Sequence, residues 1–264
     1  MPVLLGSMTQ DLFRIDAYLR ECSAKVTAIT AQGITLDRTV FYPLGGGQAG
    51  DSGVLELQSG PRSGTALAIG DTRKGKDAEG HVTGAICHVP ASWQVDGQAG
   101  TTEVLGLQVG DTVIARIDWA RRHKLMRFHT TTHLLCHLVP QMVNGCSITS
   151  DYARLDFSMT DPLDKEVLSV GIARLVAAAH PLTVGSISDA ELDANPALVK
   201  SMSVQPPRGS GSIRTIRIGG RELIDLQPCG GTHVANTSEI GAVVVTKIEK
   251  KSATTRRVVL GFAA

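Results

Sequence analysis

Two short runs about a hundred residues apart, His129-Thr-Thr-Thr-His133 and Cys229-Gly-Gly-Thr-His233, constrain this chain more than any other feature. On a helix the first pair sits four residues apart, with both imidazoles on one face and Cβ atoms about 5–6 Å apart, a span one metal ion can bridge. Cys229 adds a soft ligand and His233 a third imidazole. Such a nitrogen-and-sulfur set suits zinc, whereas magnesium and calcium prefer oxygen. Either half alone recurs by chance, and the alternative for His129 and His133 is a pair of satisfied core histidines; the two halves together favour a zinc site. His137, one turn further on, reads as an ordinary helix-face histidine.

With 264 residues, of which 42% are hydrophobic, the chain can fill two cores, and two domains are expected. The opening Met1-Pro-Val-Leu-Leu-Gly has no basic lead and too short an apolar run for a signal peptide, and no later stretch is long enough to span a bilayer. A soluble, cytoplasmic protein with no membrane partner is the expectation. Five cysteines (22, 87, 136, 146 and 229), odd in number and widely spaced, argue against a disulfide framework and fit reduced thiols.

A net charge of +1 provides no global field for nucleic acid, but the basic residues are bunched. Arg116, Arg121, Arg122, Lys124 and Arg127 run into the histidine pair, and Lys247, Lys250, Lys251, Arg256 and Arg257 lie near the C-terminus. Each bunch reads equally as a solvated face. Aromatic residues make up only 4%, poor material for stacking unpaired bases, so phosphate contacts should dominate any RNA binding.

Residues 9 to about 118 alternate short β-prone runs with turn signals: Lys25–Ile29, Gly33–Phe41, Gly53–Leu57, Ala66–Ile69, His81–Val89 and Thr112–Ile117. That pattern predicts a small β-barrel, with loops at Gly60–Gly64, Gly70–Gly80 and Ser92–Gly100. Asp11–Glu21 fits a short helix or an edge strand. At Asp118, a good N-cap, the character changes; Trp119 to about Val143 carries helical periodicity and stops at Asn144-Gly145. Strand Ala153–Ser158 follows, then a helix starting at Asp161-Pro162 and running to about His180, and a capping box at Ser188-Asp-Ala-Glu191. Ser212–Ile218, Arg221–Leu226, Ile240–Glu249 and Thr255–Gly261 complete the strands. The predicted fold class is α+β: a glycine-rich β-barrel domain over residues 1–118, then an α/β zinc-containing domain with an antiparallel sheet over 119–264.

The metal residues have company. Arg38-Thr-Val-Phe-Tyr-Pro-Leu-Gly-Gly-Gly-Gln-Ala-Gly-Asp-Ser-Gly53 precedes them, and the second pair is embedded in Asp225-Leu-Gln-Pro-Cys-Gly-Gly-Thr-His-Val234. With Arg121-Arg122, Arg154-Leu-Asp-Phe157 and Glu239-Ile-Gly241, these runs resemble the alanyl-tRNA editing proteins of the AlaX type, relatives of the editing domain of alanyl-tRNA synthetase. The resemblance covers nearly the whole chain and favours the medium-length class with an N-terminal barrel. Threonyl-tRNA synthetases carry a similar zinc domain, but the Gly-Gly-Gly-Gln run leans toward the alanine type.

That resemblance implies zinc-dependent hydrolysis of the ester joining misattached serine to tRNA(Ala), with Gly-tRNA(Ala) as a further candidate substrate. The need is physical: a small apolar synthetic pocket rejects an isostere bearing one extra hydroxyl by only about a hundredfold. The resemblance gives His129, His133, Cys229 and His233 as metal ligands. Four protein ligands describe a closed structural site, whereas catalysis needs an open position, so His233 is also a candidate base. The residues between the two helix histidines are all threonine, so the glutamate of a zinc peptidase is missing.

Thr132, with Thr130 and Thr131, could offer a hydroxyl to substrate, and Ser147 and Thr149 are candidate sensors of the serine hydroxyl. Gly230 and Gly231 could bring backbone N–H groups to a developing oxyanion. Gly45, Gly46, Gly47, Gln48 and Asp51 lack the Lys-Ser/Thr of a nucleotide phosphate loop, so no nucleotide cofactor is expected. By resemblance Gly46, Gly47, Gln48 and Asp51, with Arg121 and Arg122, would shape the surface for the tRNA acceptor end. A non-catalytic tRNA-binding module with structural zinc and a deacylase of Ser-tRNA(Thr) are the competing readings. Nothing in the sequence fixes an oligomeric state.

Overall fold

A computed structural model describes residues 8–58, 63–91, 106–206 and 211–263. The chain divides into two compact units: one comprises the chain up to Gly45 together with Ala49–Arg122, the other Gly46–Gln48 and the chain from His123 onward. The division falls four residues beyond the expected boundary at Asp118, inside a helix, and the Gly46–Gln48 segment goes with the C-terminal unit.

The first unit opens with β1 (Gln10–Asp11) and α1 (Leu12–Ile15), followed by β2 (Glu21–Thr30), β3 (Gly33–Leu36), β4 (Arg38–Thr39), β5 (Gly53–Leu57), β6 (Ala66–Lys76), β7 (Val82–Pro90) and β8 (Thr112–Ile117). Strands pair in the order β2-β3-β7-β6-β5-β8, and β8 returns antiparallel to β2, closing a barrel. Period-two alternation explains which residues fill it. On β8, Val113, Ala115 and Ile117 are buried while Arg116 faces out; on β5, Leu55 and Leu57 point inward. With Val26, Ile34, Leu36, Leu67 and Ile69 they form one apolar cluster, each large side chain contributing about 1.5–3 kcal/mol. Gly33 turns β2 into β3 at φ 130°, and a Cβ there would lie 2.5 Å from the His88 carbonyl oxygen.

The expected loop over Gly70–Gly80 is mostly strand: β6 runs to Lys76, and only Asp77–Gly80 turns, closed by the Gly80 N–H on the Asp77 carbonyl at 3.1 Å. Glycine content suggested a loop, but pairing with β7 outweighs the weak propensity of Gly70 and Gly75. The expected loop at Ser92–Gly100 lies outside the described residues, as does part of Gly60–Gly64.

His88 on β7 is completely buried. Its Nδ1–H donates to the Ile34 carbonyl at 2.9 Å, and its Nε2 accepts from the Thr39 hydroxyl at 2.8 Å. Burial holds its pKa down at about 4, against the Ile34 bond that favours charge. The unfolded chain therefore takes up a proton between about pH 6.5 and 4 that the folded chain refuses, so stability is intact above that window and lost as pH falls through it. At about 1.4 kcal/mol per pH unit, the loss is about 3 kcal/mol. Denaturant unfolding at pH 7 and pH 4.5 should show this slope in the wild type and a flatter one in His88→Gln. An unchanged slope in the variant would place the proton uptake elsewhere.

Helix α2 spans Trp119–Leu138, with the Asp118 carboxylate capping the Arg121 N–H at 3.1 Å. It ends before Pro140 rather than at Asn144-Gly145, because proline disfavours helix for the residue before it and cannot donate its own bond. Val143 and Asn144-Gly145 instead begin β9 (Val143–Ile148). Then come β10 (Ala153–Ser158), α3 (Lys165–Ala177), β11 (Leu182–Ile187), α4 (Asp189–Ala194), β12 (Ile213–Ile218), β13 (Asp225–Pro228), β14 (Val243–Ser252) and β15 (Thr255–Phe262). Helix α3 starts later than Asp161-Pro162, since Asp164 supplies the cap by accepting from Val167 N–H at 2.9 Å. The Ser188/Glu191 capping box opens α4 as expected. Edge strand β11 escaped the sequence reading because Thr183, Val184, Gly185 and Ser186 are all exposed and leave no buried stripe.

The second unit has a four-stranded antiparallel sheet, β14-β15-β10-β9, and a three-stranded one, β11-β12-β13. Helix α2 meets the first through Phe128 on Phe262, with ring centroids 4.3 Å apart, and the second through His133 on Asp225. A mixed α+β chain with antiparallel sheets is thus the architecture. No helix among the described residues is long and apolar enough to cross a membrane.

Candidate metal centre

Residues 129 to 136 of α2 are all buried, so His129 and His133 are presented inside the C-terminal unit rather than to bulk water. The loop after β13 brings Cys229 and His233 to them, and one ligand atom from each of His129, His133, Cys229 and His233 lies within 4.8 Å of the others. Cys229 Sγ is 3.5 Å from His129 Nε2 and 3.3 Å from His233 Nε2. A His/Cys group able to hold a metal ion is therefore present, as the spacing predicted.

Each imidazole is oriented by a separate partner on its other nitrogen. His129 Nδ1 donates to Gln48 Oε1 at 2.7 Å; His133 Nδ1 donates to Asp225 Oδ2 at 2.8 Å; His233 Nδ1 contacts Thr130 Oγ1 at 3.2 Å. The Gln48 amide is itself fixed, because its Nε2 donates to Thr232 Oγ1 at 2.9 Å and its Oε1 also accepts the Thr232 N–H at 3.2 Å. With Nδ1 occupied, each ring is left to offer Nε2, the arrangement that metal-binding histidines use to fix tautomer and ring angle.

Backbone geometry shapes the rest. The Gly231 N–H points at Cys229 Sγ at 3.4 Å, and Arg214 donates to the Cys229 and Gly231 carbonyls at 2.6 and 3.2 Å. Gly46–Gln48 runs beside the end of β9, with Ile148 N–H donating to the Gly47 carbonyl at 2.7 Å. Gly47 holds φ 84°, and a Cβ there would fall 2.6 Å from Cys146 Sγ, so conformation and space both require glycine.

The electrostatics fit a thiolate among imidazoles. Burial opposes ionisation of Cys229, but His129 and His233 outweigh it and hold the thiol well below its ordinary range. Burial pushes His233 down to about 3, helped by His129. For His133 burial acts downward, yet the Asp225 bond and the Cys229 sulfur raise it to about 9. Asp225, despite burial, is held at about 2 by His133 and Lys200. Cys146 is different: burial pushes its thiol up to about 12, leaving it a neutral wall rather than a ligand.

Several expected roles need correction. Asp51 and Arg122 do not present themselves to RNA; both are completely buried and bonded to each other. Gln48 is likewise buried and spends its amide on His129 and Thr232. The Thr132 hydroxyl donates back to the His129 carbonyl at 2.7 Å, and Thr131 to that of Arg127, so neither is offered to substrate. Thr149 closes a turn, donating to the Tyr152 carbonyl and accepting two backbone N–H groups. Ser147 pairs across the sheet with Arg154, on the face opposite Cys146 and the metal group, because successive strand residues alternate. Gly231 gives its N–H to sulfur rather than to an oxyanion.

Gly46 and Gly230 are exposed, and Arg121 reaches the Gly50 carbonyl at 3.2 Å. In the basic run before His129, Arg116 pairs with Glu21 and Glu56, while Arg127 donates to the Ile240 carbonyl and lies over Phe262; Lys124 is exposed. His137 lies on α2 and is exposed, and all five cysteines are free. Sequence reasoning passed over Asp225 as a site residue. Its signal was a carboxylate at the head of the segment leading into Cys229, next to a helix whose histidines need acceptors.

This fold and site place the chain in a recognisable class. A family model, the threonyl and alanyl tRNA synthetase second additional domain, matches residues 213–259, the segment that carries Asp225, Cys229 and His233. Over 95% of its length the chain is 32% identical to the alanyl-tRNA editing protein AlaX-M of Methanosarcina barkeri, covering 97% of that protein. The AlaX-M protein of Saccharolobus solfataricus is 31% identical, again over 95% of this chain and 98% of its own. An alanine–tRNA ligase from Sulfurisphaera tokodaii is 30% identical over 92% of this chain, which spans 25% of the ligase. The chain belongs to the AlaX-M family of alanyl-tRNA editing proteins.

Proposed function

We propose that this chain is a zinc-dependent deacylase that clears serine from mischarged tRNA(Ala). The observation that carries the reading is the separate Nδ1 partner on each of three imidazoles, Gln48, Asp225 and Thr130, around one thiol. Burial alone would give each ring a hydrogen-bond partner, as it does for His88; the feature specific to a metal site is that the three rings and the thiol also bring one donor atom each to within 4.8 Å of the others, and imidazole nitrogen with thiolate suits zinc. Zinc held there supplies Lewis-acid polarisation of an ester carbonyl and lowers the pKa of water to about 7.

The protein's own groups divide the remaining work. Gln48, Asp225 and Thr130 hold the ligating rings in their tautomers, and Gly231 N–H cradles the Cys229 sulfur. Gly230, exposed beside Cys229, has a backbone N–H with no hydrogen-bond partner among the described residues, a donor suited to charge developing on the carbonyl oxygen. Thr130 holds the His233 ring through Nδ1, and His233 is the donor that would give up its place to water or the ester carbonyl, since four fixed protein ligands would close the site to this chemistry.

Purified protein with stoichiometric zinc is expected to release serine from Ser-tRNA(Ala), to leave Ala-tRNA(Ala) largely intact, and to act more slowly on Ser-tRNA(Thr). Chelation should remove the activity and added zinc restore it. Intact Ser-tRNA(Ala) under these conditions, with Cys229→Ala indistinguishable from wild type, would sink the proposal. The four-donor set favours one competitor, a tRNA-binding module with closed structural zinc. Normal tRNA affinity without turnover would select it.

A further inference from the structure

The carboxylate of Asp225 does more than accept from His133. It is fully buried, and three donors converge on it: His133 Nδ1 at 2.8 Å and Gln227 Nε2 at 2.8 Å on Oδ2, and the Lys200 ammonium on Oδ1. Lys200 comes from outside the metal-binding segments, in the stretch between α4 and β12. Its backbone is pinned there: the Lys200 carbonyl accepts the Val143 N–H at 2.8 Å, and the Val143 carbonyl accepts the Met202 N–H at 2.8 Å. The segment is thereby laced to the start of β9, and the Lys200 ammonium is delivered to the carboxylate.

Beside this contact lies a cavity of about 420 Å³, with Pro196, Leu198, Leu223 and Ile224 on its walls and Lys200 and Asp225 among its polar groups. The Lys200 side chain is 26% exposed while that of Asp225 is 0% exposed, so the lysine stands between solvent and the buried carboxylate.

We propose that Lys200 is a positioning residue for the metal centre, acting through Asp225 to keep His133 aimed with Nε2 toward the metal. The inference rests on the zinc reading above. Asp225 has two oxygens and a rotatable carboxyl, so a single bond to His133 would leave it free to turn. A cation on Oδ1 and an amide on Oδ2 fix the plane in which the imidazole must lie. Partners of this kind matter to a metal site nearly as much as its ligands, and their loss typically costs 10–100-fold in affinity. Lys200 is one bond further out, so an effect toward the lower end, about tenfold, is expected.

The test is zinc affinity, measured on the full chain by competition with a chromophoric chelator, for wild type, Lys200→Met, Lys200→Arg, Asp225→Asn and the Lys200→Met/Asp225→Asn double variant. Lys200→Met should bind zinc about tenfold more weakly, and Lys200→Arg, which keeps the cation, should recover most of that loss. Asp225→Asn should lose more, and adding Lys200→Met to it should change nothing further, because the lysine acts through the carboxylate. Thermal unfolding of each apo-protein separates a folding defect from a weakened site, and Lys200→Gln replaces Lys200→Met should the latter fail to fold.

Wild-type zinc affinity in Lys200→Met, or an equal further loss on the Asp225→Asn background, would overturn the role of Lys200 while leaving the metal reading intact. A wild-type chain that binds no zinc would instead bring down the metal reading, and this inference with it.

Discussion

On the zinc-deacylase reading proposed above, Gly231→Ala is expected to weaken metal binding and serine release by at least about a hundredfold, although it removes none of the four donors. A Cβ on Gly231 would overlap Cε1 and Nδ1 of His129 and press on Gln48 Oε1 at 3.0 Å. The backbone there has no positive φ, so alanine meets no conformational obstacle and the whole effect is steric. His129 has no room to give way, since its Nδ1 is tied to Gln48 and Gln48 is tied twice to Thr232. Moving the ring breaks that chain and swings Nε2 away from the Cys229 sulfur, and displacing a ligand should exceed the usual cost of losing an outer partner. Zinc content after dialysis and serine release from Ser-tRNA(Ala) are the readouts, with far-ultraviolet circular dichroism to show that the fold survives. Gly230→Ala is the control, since Gly230 is exposed and should retain its metal. A Gly231→Ala protein with wild-type zinc and turnover would mean that the loop relaxes easily and that the packing of Gly231 on His129 is incidental.

How much of this site could be read from the sequence depends on whether a contact is local. The four clustered donors were legible because a four-residue helical spacing and a short Cys-x-x-x-His loop each fix their own geometry. Their supporting partners were not, because Gln48 reaches His129 across 81 residues and Asp225 reaches His133 across 92. A glutamine after three glycines gives no sign of whether its amide faces RNA or a ligand. Thr130 was not separable from its neighbours either, because only the structure shows that Thr131 and Thr132 back-bond to the helix while the Thr130 hydroxyl reaches His233.

The fold divides in the same way. Strands β5 and β8 matched their predicted bounds because alternation and burial coincide there. Strand β9 was read as a helix end and a loop because Asn144-Gly145 is ordinarily a turn signal; pairing of Gly145 with Asp156 on β10 overrode it. Arg122 was detectable. Early in α2, Arg122 shares one helical face with the buried Leu125, Met126 and His129, whereas Lys124 falls off that face and is exposed. A charged residue on a buried stripe calls for a buried partner, and the sequence does not say that Asp51 is that partner.

That pair supports the second large effect, on stability. Arg122 Nε donates to both oxygens of Asp51 at 3.0 and 2.9 Å, and its remaining nitrogens donate to the Ala17 and Val40 carbonyls at 3.0 and 2.6 Å. Asp51 Oδ2 also takes the Tyr42 N–H at 2.6 Å. Removing either side leaves a charge with no water to receive it. Arg122→Met and Asp51→Ala should therefore each destabilise the fold by about 3–5 kcal/mol. The double variant should fall well short of the sum, since no orphaned charge remains, but it will not be neutral: the Tyr42 N–H and two carbonyls lose their partners. Urea unfolding of the four proteins gives the cycle. Single variants within 1 kcal/mol of wild type, or strictly additive losses, would show that the interior around Arg122 admits water. The same residues carry a functional corollary, because a pair with side chains 0% and 1% exposed has no phosphate to hold. In whatever fraction of Arg122→Met folds, tRNA affinity and its salt dependence should match wild type, whereas a residue that met the RNA backbone would reduce the salt slope by about 1.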